Sequence, residues 1–345
     1  MTTQTLQMKE VFTRLNDAGF GRRFVKKYAL PSWWVDEVAQ SPAGLDQTLL
    51  IISRRLGLTF EALKTPGAAI QGDHPEVRFK RIGDAPTESL RVPAAIGGKL
   101  ARLVLRATAS TPGAPLPSAE AARAEILGSG APWVGLQQLL DYSWSHGIPV
   151  IHLANLPKTT SGQKVRKPAG MAMRVGDRFA IVLCRGNTSE SQQAFWLAHE
   201  LGHIASGHVE SGVLVDEDVD KASEDPQERE ANEYALGLMC GKTRTFRAKA
   251  GNGNLNAKTV AEESKRLGQK LHIVPGHVAL NYAHNMNQAQ GGVVYAVVNT
   301  ALKMLKEIKA IPTLRTKLNA EMSWDELSDD DEEFVRVLTG LDDDE

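Results

Sequence analysis

The sequence predicts an α+β fold in which a mixed central core is flanked by helical regions. In the middle of the chain, apolar residues at 171–175 and 178–183 surround Gly176-Asp177, a pattern typical of a β-hairpin. At both ends, apolar residues recur at helical spacing, as in Val11-Phe12-Leu15 and again through 293–308. At 345 residues the chain exceeds one ordinary domain. We therefore predict four parts: a helical domain at 1–70, a linker and helix at 71–118, the α+β domain at 119–290, and a helical extension with an acidic tail at 291–345.

Composition indicates a globular chain. Hydrophobic residues make up 42% and charged residues 23%, as in ordinary folded proteins. The opening residues have no hydrophobic run of signal-peptide type, and no apolar stretch reaches the roughly 18 residues of a membrane span. We expect a soluble cytoplasmic protein. The two cysteines, Cys184 and Cys240, form no disulfide framework and are expected to be buried thiols. No Walker loop or Rossmann fingerprint is present, so the sequence offers no nucleotide-binding motif.

The N-terminal 70 residues are predicted to be short helices, the last two broken at Gly57. The run LLIISRRLGLTFEAL at 49–63 resembles the closing helices of phage-repressor helix-turn-helix domains. The segment that corresponds to a recognition helix carries Trp33, Trp34, Asp36 and Glu37, whereas base and phosphate contacts favour Arg, Lys, Asn and Gln. The resemblance thus implies a degenerate helix-turn-helix domain, with DNA binding and protein docking as alternatives.

The run QAFWLAHELGHIASGH at 193–208 carries the chemistry. His199 and His203 are four residues apart, so on a helix they project from one face and can hold one metal ion. Glu200, between them, is placed to take a proton from a water molecule at the metal, which makes it a general base rather than a ligand. Gly202 lets a second segment pass close to this helix.

A catalytic zinc ion usually has three protein ligands, so the sequence must supply one more. Asp225 and Pro226 are typical of a helix N-cap followed by proline in the first turn. Glu228 then lies on an otherwise apolar stripe, where a carboxylate needs a partner, and Glu230 is the rival ligand. Asn232, one turn beyond Glu228, is expected to hydrogen-bond a ligating side chain. In the alternative interpretation, both glutamates are solvated acids at the helix N-terminus.

Together, His199-Glu200-Leu201-Gly202-His203 and Glu228-Arg-Glu-Ala-Asn232-Glu-Tyr-Ala resemble the ImmA/IrrE family of zinc metallopeptidases, over roughly residues 133–239. More distantly, they are similar to the gluzincins, and that parallel favours Glu228 over Glu230 as the third ligand. The resemblance implies a zincin-like metallopeptidase core, a Zn²⁺ cofactor and a cytoplasmic, site-specific endopeptidase. It also implies a substrate, a helix-turn-helix repressor that controls a mobile-element, stress-response or defence operon.

Several features around this site are left as alternatives. His208, nine residues beyond His199, is predicted to point away from the metal; with Tyr234 and His277 it is a candidate oxyanion partner. His277 and His284 either line the cleft or pack. Cys184 could approach the metal as a thiolate, and the hairpin at 171–183 is expected to form the sheet edge on which an extended substrate pairs. The competing function classes are a DNA-binding regulator and an antitoxin-like interaction module that retain the peptidase fold.

The two ends of the chain carry opposite charge. Residues 1–60 contain eight Lys or Arg against five Asp or Glu, a balance of +3, whereas residues 321–345 contain twelve acids against Arg336, a balance of −11. The acidic segment from Ser328, which we expect to be poorly ordered at its end, could lie over the N-terminal face or the basic loop at 242–249 and restrain the enzyme. In that case nucleic acid would act as a regulator by displacing it. A solubility role for the segment is the alternative.

Overall fold

The computed structural model describes residues 6–70, 77–80, 88–109, 115–157, 159–160, 163–164, 167–186, 188–210, 212–216, 225–242, 246, 256–290 and 293–343. Within these ranges it is an α+β protein in which helices surround one mixed sheet. None of the described helices combines the length and apolar character that a membrane span needs.

The N-terminal region is helical, as predicted. Its segments are α1 (Met8–Asp17), α2 (Arg22–Phe24) continuing as a π-helical turn (Val25–Ala29), a 3₁₀ helix (Asp36–Gln40), α3 (Pro42–Leu56) and α4 (Phe60–Lys64). Ser41 caps α3 by accepting from the Gly44 N–H, and Gly57 ends it in the left-handed conformation, where the sequence predicted the break. In the segment compared with a recognition helix, Asp36 and Glu37 begin the 3₁₀ helix, whereas Trp33 and Trp34 precede it. The helix-turn-helix character of this region stays a prediction.

The sheet has five strands in the described part of the chain, in the order β1-β7-β5-β6-β2. The strands are β1 (Val77–Lys80), β2 (Val150–His152), β5 (Gly170–Val175), β6 (Arg178–Leu183) and β7 (Gly212–Asp216), with β3 (Thr159–Thr160) and β4 (Gln163–Lys164) paired separately. β5 and β6 form the predicted antiparallel hairpin, with Val175 opposite Arg178.

The hairpin is not the edge of the sheet, so that prediction is wrong. β7 pairs antiparallel with the outer side of β5, from Gly170 opposite Asp216 to Arg174 opposite Gly212. On the other side, β2 runs parallel to β6. Both hairpin strands thus have a neighbour on each side, and β7, which the sequence analysis did not identify, occupies the place expected for substrate.

Helices cover both faces of the sheet. The helices in the middle of the chain are α5 (Glu88–Arg106), α6 (Ala119–Gly128), α7 (Leu136–Ser145), α8 (Glu190–Ala205) and α9 (Pro226–Cys240). The C-terminal part consists of α10 (Ala257–Leu271), α11 (Pro275–Gln290), α12 (Val293–Met304), α13 (Ala310–Glu321), a 3₁₀ turn (Trp324–Glu326) and α14 (Asp329–Thr339).

Alternation along the strands divides the interior into two cores. Met171 and Met173 of β5 face a core shared by the N-terminal helices, α5 and α14, whereas Ala172 faces a core that contains α7, α8 and α9. A smaller cluster joins α10, α11 and α12. The division into the four predicted domains stays a prediction.

Candidate metal centre

Helix α8, which carries the HExxH motif, packs in the core that also contains α7 and α9. Ser189 caps it by accepting from the Gln192 N–H. His199 and His203 project from the same face with ring centroids 4.7 Å apart and their Nε2 atoms 3.0 Å apart. Both side chains are completely buried. The spacing of four residues therefore has the geometric result that the sequence predicted.

Helix α9 brings a carboxylate to these two nitrogens. Asp225 caps the helix by accepting from the Gln227 N–H at 2.8 Å, and Pro226 lies in its first turn. The buried Glu228 carboxylate lies 3.4 Å from His199 Nε2 and 3.3 Å from His203 Nε2.

The close approach of α8 and α9 depends on Gly202. A Cβ atom at this position would lie 2.8 Å from the Ala231 carbonyl oxygen of α9. Glycine is thus the residue that lets α9 pass close enough for Glu228 to reach the histidines.

The two histidine nitrogens and the Glu228 carboxylate oxygens are spaced like the ligands of a tetrahedral metal ion. Zinc binds histidine nitrogen and carboxylate oxygen at about 2.0–2.1 Å, which places neighbouring tetrahedral ligands about 3.3 Å apart. The two Nε2 atoms are 3.0 Å apart, Glu228 Oε2 lies 3.4 Å from His199 Nε2, and Glu228 Oε1 lies 3.3 Å from His203 Nε2. His199, His203 and Glu228 therefore form a buried cluster that can hold a metal ion.

Asn232 lies behind His199. Its Oδ1 is 3.1 Å from His199 Nδ1. An amide oxygen accepts only, so Nδ1 carries the proton and Nε2 presents its lone pair to the cluster. The side chain thus stands where a hydrogen-bonding partner of a ligating histidine was predicted.

His208 lies behind His203, and its predicted direction is wrong. Helix α8 ends at Ala205, and Gly207 follows in the left-handed region with φ of 72°. The chain therefore turns back, and His208 Nδ1 comes within 2.9 Å of His203 Nδ1. The other ring nitrogen of His208 is 3.2 Å from Glu230 Oε2. Glu230, the rival ligand, thus contacts His208 instead of the cluster.

Glu200 is also completely buried. Its carboxylate rests on the backbone of Gly170 in β5, where a Cβ atom would lie 2.1 Å from Oε1. Any other side chain at position 170 would therefore displace the carboxylate. The role of Gly170 could not be predicted from the sequence, because nothing in the local pattern shows which strand residue will meet a helix.

The contacts of the other candidate residues are as follows. The Tyr234 hydroxyl donates to the Pro117 carbonyl oxygen at 3.2 Å, which directs it to the loop before α6. His277 stacks on Phe195 with ring centroids 5.6 Å apart. Burial raises the pKa of Cys184 to about 12, so without a metal ion this residue is a neutral thiol at neutral pH. The side chain of His284 lies outside the described part of the chain.

Comparison with known proteins agrees with this geometry. Residues 145–263 match the family model Peptidase M78, described as the IrrE N-terminal-like domain. The matched range contains β5, β6, α8 and α9 and therefore the whole His199, His203 and Glu228 cluster. The curated proteins compared with the chain include no match. The segment at 145–263, which holds the cluster, is thus similar to the IrrE N-terminal-like domain of the Peptidase M78 family.

Proposed function

We propose that this chain is a zinc-dependent, site-specific endopeptidase that cleaves a helix-turn-helix transcriptional repressor and so derepresses the operon under its control. The observation that carries the proposal is the buried His199, His203 and Glu228 cluster together with Glu200, which follows His199 on the same helix. Two neutral imidazoles, one carboxylate and a base are the set that hydrolytic zinc sites use.

His199, His203 and Glu228 are the residues proposed to hold the metal, with Asn232 orienting His199 through its Nδ1–H. A metal there supplies Lewis-acid chemistry toward water and a carbonyl group. Glu200 accepts a proton from the attacking water and returns it to the amine of the leaving peptide. Gly170 keeps the Glu200 carboxylate against β5 while this happens.

The substrate class has a different basis. A peptidase family implies a protein substrate, and the repressor follows from the ImmA/IrrE resemblance of the motifs. Because His199, Glu200 and His203 are fully buried and β7 covers the outer side of β5, a peptide has no open strand edge beside the hairpin. We infer that the substrate enters only after β7 or its neighbours move, which would restrict cleavage to partners that bind specifically.

Glu200→Gln tests the proposed function. Glutamine is nearly isosteric but cannot accept the proton, so cleavage should fall by about 10²–10⁴-fold while zinc content and fold stay unchanged. The matched control is Glu233→Gln, which neutralises an exposed acid on α9 and should cleave like the parent.

Cleavage is measured by mass spectrometry on helix-turn-helix proteins encoded beside this gene. Parent-like cutting by Glu200→Gln contradicts the role of the base. If the parent cuts unrelated proteins but no such repressor, the peptidase activity is supported and the proposed substrate class is overturned. Strong sequence-specific DNA binding without bound metal would favour the DNA-binding regulator, and a stable complex with an uncleaved partner would favour the interaction module.

A further inference from the structure

Three side chains form a line from the cluster to the protein surface. His203 Nε2 faces Glu228 and His199, and His203 Nδ1 lies 2.9 Å from His208 Nδ1. His208 Nε2 lies 3.2 Å from Glu230 Oε2. The two rings are buried, whereas the Glu230 side chain is 62% exposed. We call Glu230, His208 and His203 the carboxylate relay.

The protons in the carboxylate relay follow from its acceptors. An ionised carboxylate only accepts, so Glu230 takes a hydrogen bond from His208 Nε2–H. A neutral imidazole has one N–H, so His208 Nδ1 then carries a lone pair and accepts from His203 Nδ1–H. His203 in turn has its lone pair on Nε2, the atom that faces Glu228.

We propose that Glu230 and His208 are positioning residues that hold His203 in its metal-binding tautomer and ring orientation. Asn232 does the same for His199 through one amide, so each histidine of the motif has its own partner from α9 or from the turn after α8. The two partners differ, because the His208 imidazole can present either a donor or an acceptor at Nδ1. A further hydrogen-bonding group is therefore needed to fix its tautomer. Glu230 removes that ambiguity.

The proposal assigns Glu230 a role that its sequence position does not suggest. Glu228 and Glu230 lie two positions apart on α9 and therefore project about 200° apart around the helix axis. Glu228 reaches the two Nε2 atoms from one side, and Glu230 reaches the turned-back His208 from the other. Both acids thus act on the same metal position, one directly and one through two rings.

The proposal rests on the metal site of the proposed function, and zinc affinity tests it without any substrate. Zinc dissociation constants are measured on the full chain by competition with a chromophoric chelator, and the visible spectrum of the Co²⁺-substituted protein reports ligand geometry. Glu230→Ala and His208→Leu should each weaken zinc binding by about 10–100-fold and shift the cobalt bands. Because Glu230 is exposed, its variant changes the carboxylate relay without disturbing the interior.

Two further variants separate positioning from packing. His208→Asn keeps an acceptor near the former Nδ1 position and should restore part of the affinity that His208→Leu loses. Glu233→Ala removes another exposed acid of α9 and should bind zinc like the parent.

Parent-like affinity and cobalt spectra in both Glu230→Ala and His208→Leu would overturn the proposal. If the variants weaken zinc binding but the parent cleaves no protein, the positioning role is supported and the proposed function fails. A parent that binds no zinc would overturn both.

Discussion

Gly170 shows how one residue fixes the place of Glu200, the proposed general base. The three atoms that a Cβ at this position would meet first all belong to Glu200, at 2.1, 2.7 and 2.9 Å. The strand cannot retreat easily, because Gly170 is paired with Leu183 on one side and Asp216 on the other. The carboxylate therefore has to move if a side chain is added.

We expect Gly170→Ala to retain zinc but to lower cleavage by about a hundredfold, since a displacement of about 1 Å at a reacting group can cost that much. Zinc content and initial cleavage rates are measured on the same preparation. Gly128→Ala is the control, because its added Cβ meets no atom within 4 Å. Cleavage at the parent rate by Gly170→Ala would show that Glu200 is not held where we describe it.

The choice between the two glutamates of α9 is also made by single side chains. Glu228 faces both Nε2 atoms and Glu230 faces His208. We predict that Glu228→Ala loses bound zinc on dialysis, because only two protein ligands remain. Glu230→Ala should retain about one zinc per chain without a competing chelator. Metal analysis decides, and the reverse pattern would exchange the two assignments.

At the scale of elements, α14 is the segment whose role differs most from expectation. Most of the region expected to be an acidic tail forms this helix, in which Phe334, Val335 and Leu338 are buried in the first core. Its acidic side contacts the N-terminal region: Glu333 accepts from the buried Arg55 at 3.0 Å and from the Ser32 N–H at 2.8 Å. Near its other end, the Leu338 carbonyl accepts from the Ala154 and Asn155 N–H groups beyond β2. Helix α14 thus joins the N-terminal helices to the sheet.

Docking of α14 should depend on pH through Glu333. Burial tends to raise its pKa, but hydrogen bonds from Arg55 and Ser32 outweigh burial, so the pKa lies below its ordinary value of 4.5. A carboxyl group with a lowered folded pKa stabilises the protein above its unfolded pKa, and this contribution disappears as pH falls through the folded pKa.

We therefore predict that Glu333→Gln lowers the free energy of unfolding by about 1–2 kcal/mol near neutral pH and that the difference shrinks as pH falls through the lowered pKa of Glu333. Urea titrations of both proteins across this range measure it. Asp329→Asn, an exposed acid of the same helix, should stay within about 0.5 kcal/mol of the parent throughout. An equal loss at every pH would assign the effect to packing instead of charge.

At the scale of the whole molecule, the oppositely charged ends of the chain meet. The predicted approach of the acidic segment to the N-terminal region is found in the Arg55 contacts to Asp330 and Glu333. Asp331 pairs with Arg106 of α5 at 2.7 Å. Most of the other expected site of contact, the loop at 242–249, lies outside the described residues. Deleting the segment would also remove Phe334 from the core, and the Phe334 side chain alone contributes about 3–5 kcal/mol by comparison with large-to-small core substitutions.

Charge substitutions therefore test the restraint better than deletion does. If the contact restrains the enzyme, Asp330→Asn/Asp331→Asn should cleave faster than the parent at low salt. Salt should reduce the difference, because charges in contact with solvent are screened beyond about 8–10 Å. Single-stranded DNA should accelerate the parent more than the variant. Equal rates in all combinations of protein, salt and DNA would leave α14 with a purely structural role.

Features that depend only on neighbours along the chain could be predicted from the sequence. The HExxH spacing placed His199 and His203 on one face of α8, because the helical repeat is local. The hairpin turn at Gly176-Asp177 and the Asp225-Pro226 start of α9 follow from local turn and capping preferences in the same way.

Tertiary structure decided what depends on contacts between distant segments. The pairing of β7 with β5, the support of Glu200 by Gly170 and the burial of α14 each join residues far apart in sequence, whose relative placement no local pattern specifies. The position of His208 depends on both local and tertiary structure. Its separation of nine residues from His199 predicts one direction on a continuous helix, but α8 ends at Ala205 and the chain turns His208 toward His203. The physical reason is that helical and turn periodicities are properties of a few consecutive residues, whereas the side on which two elements meet is set by the packing of the whole interior.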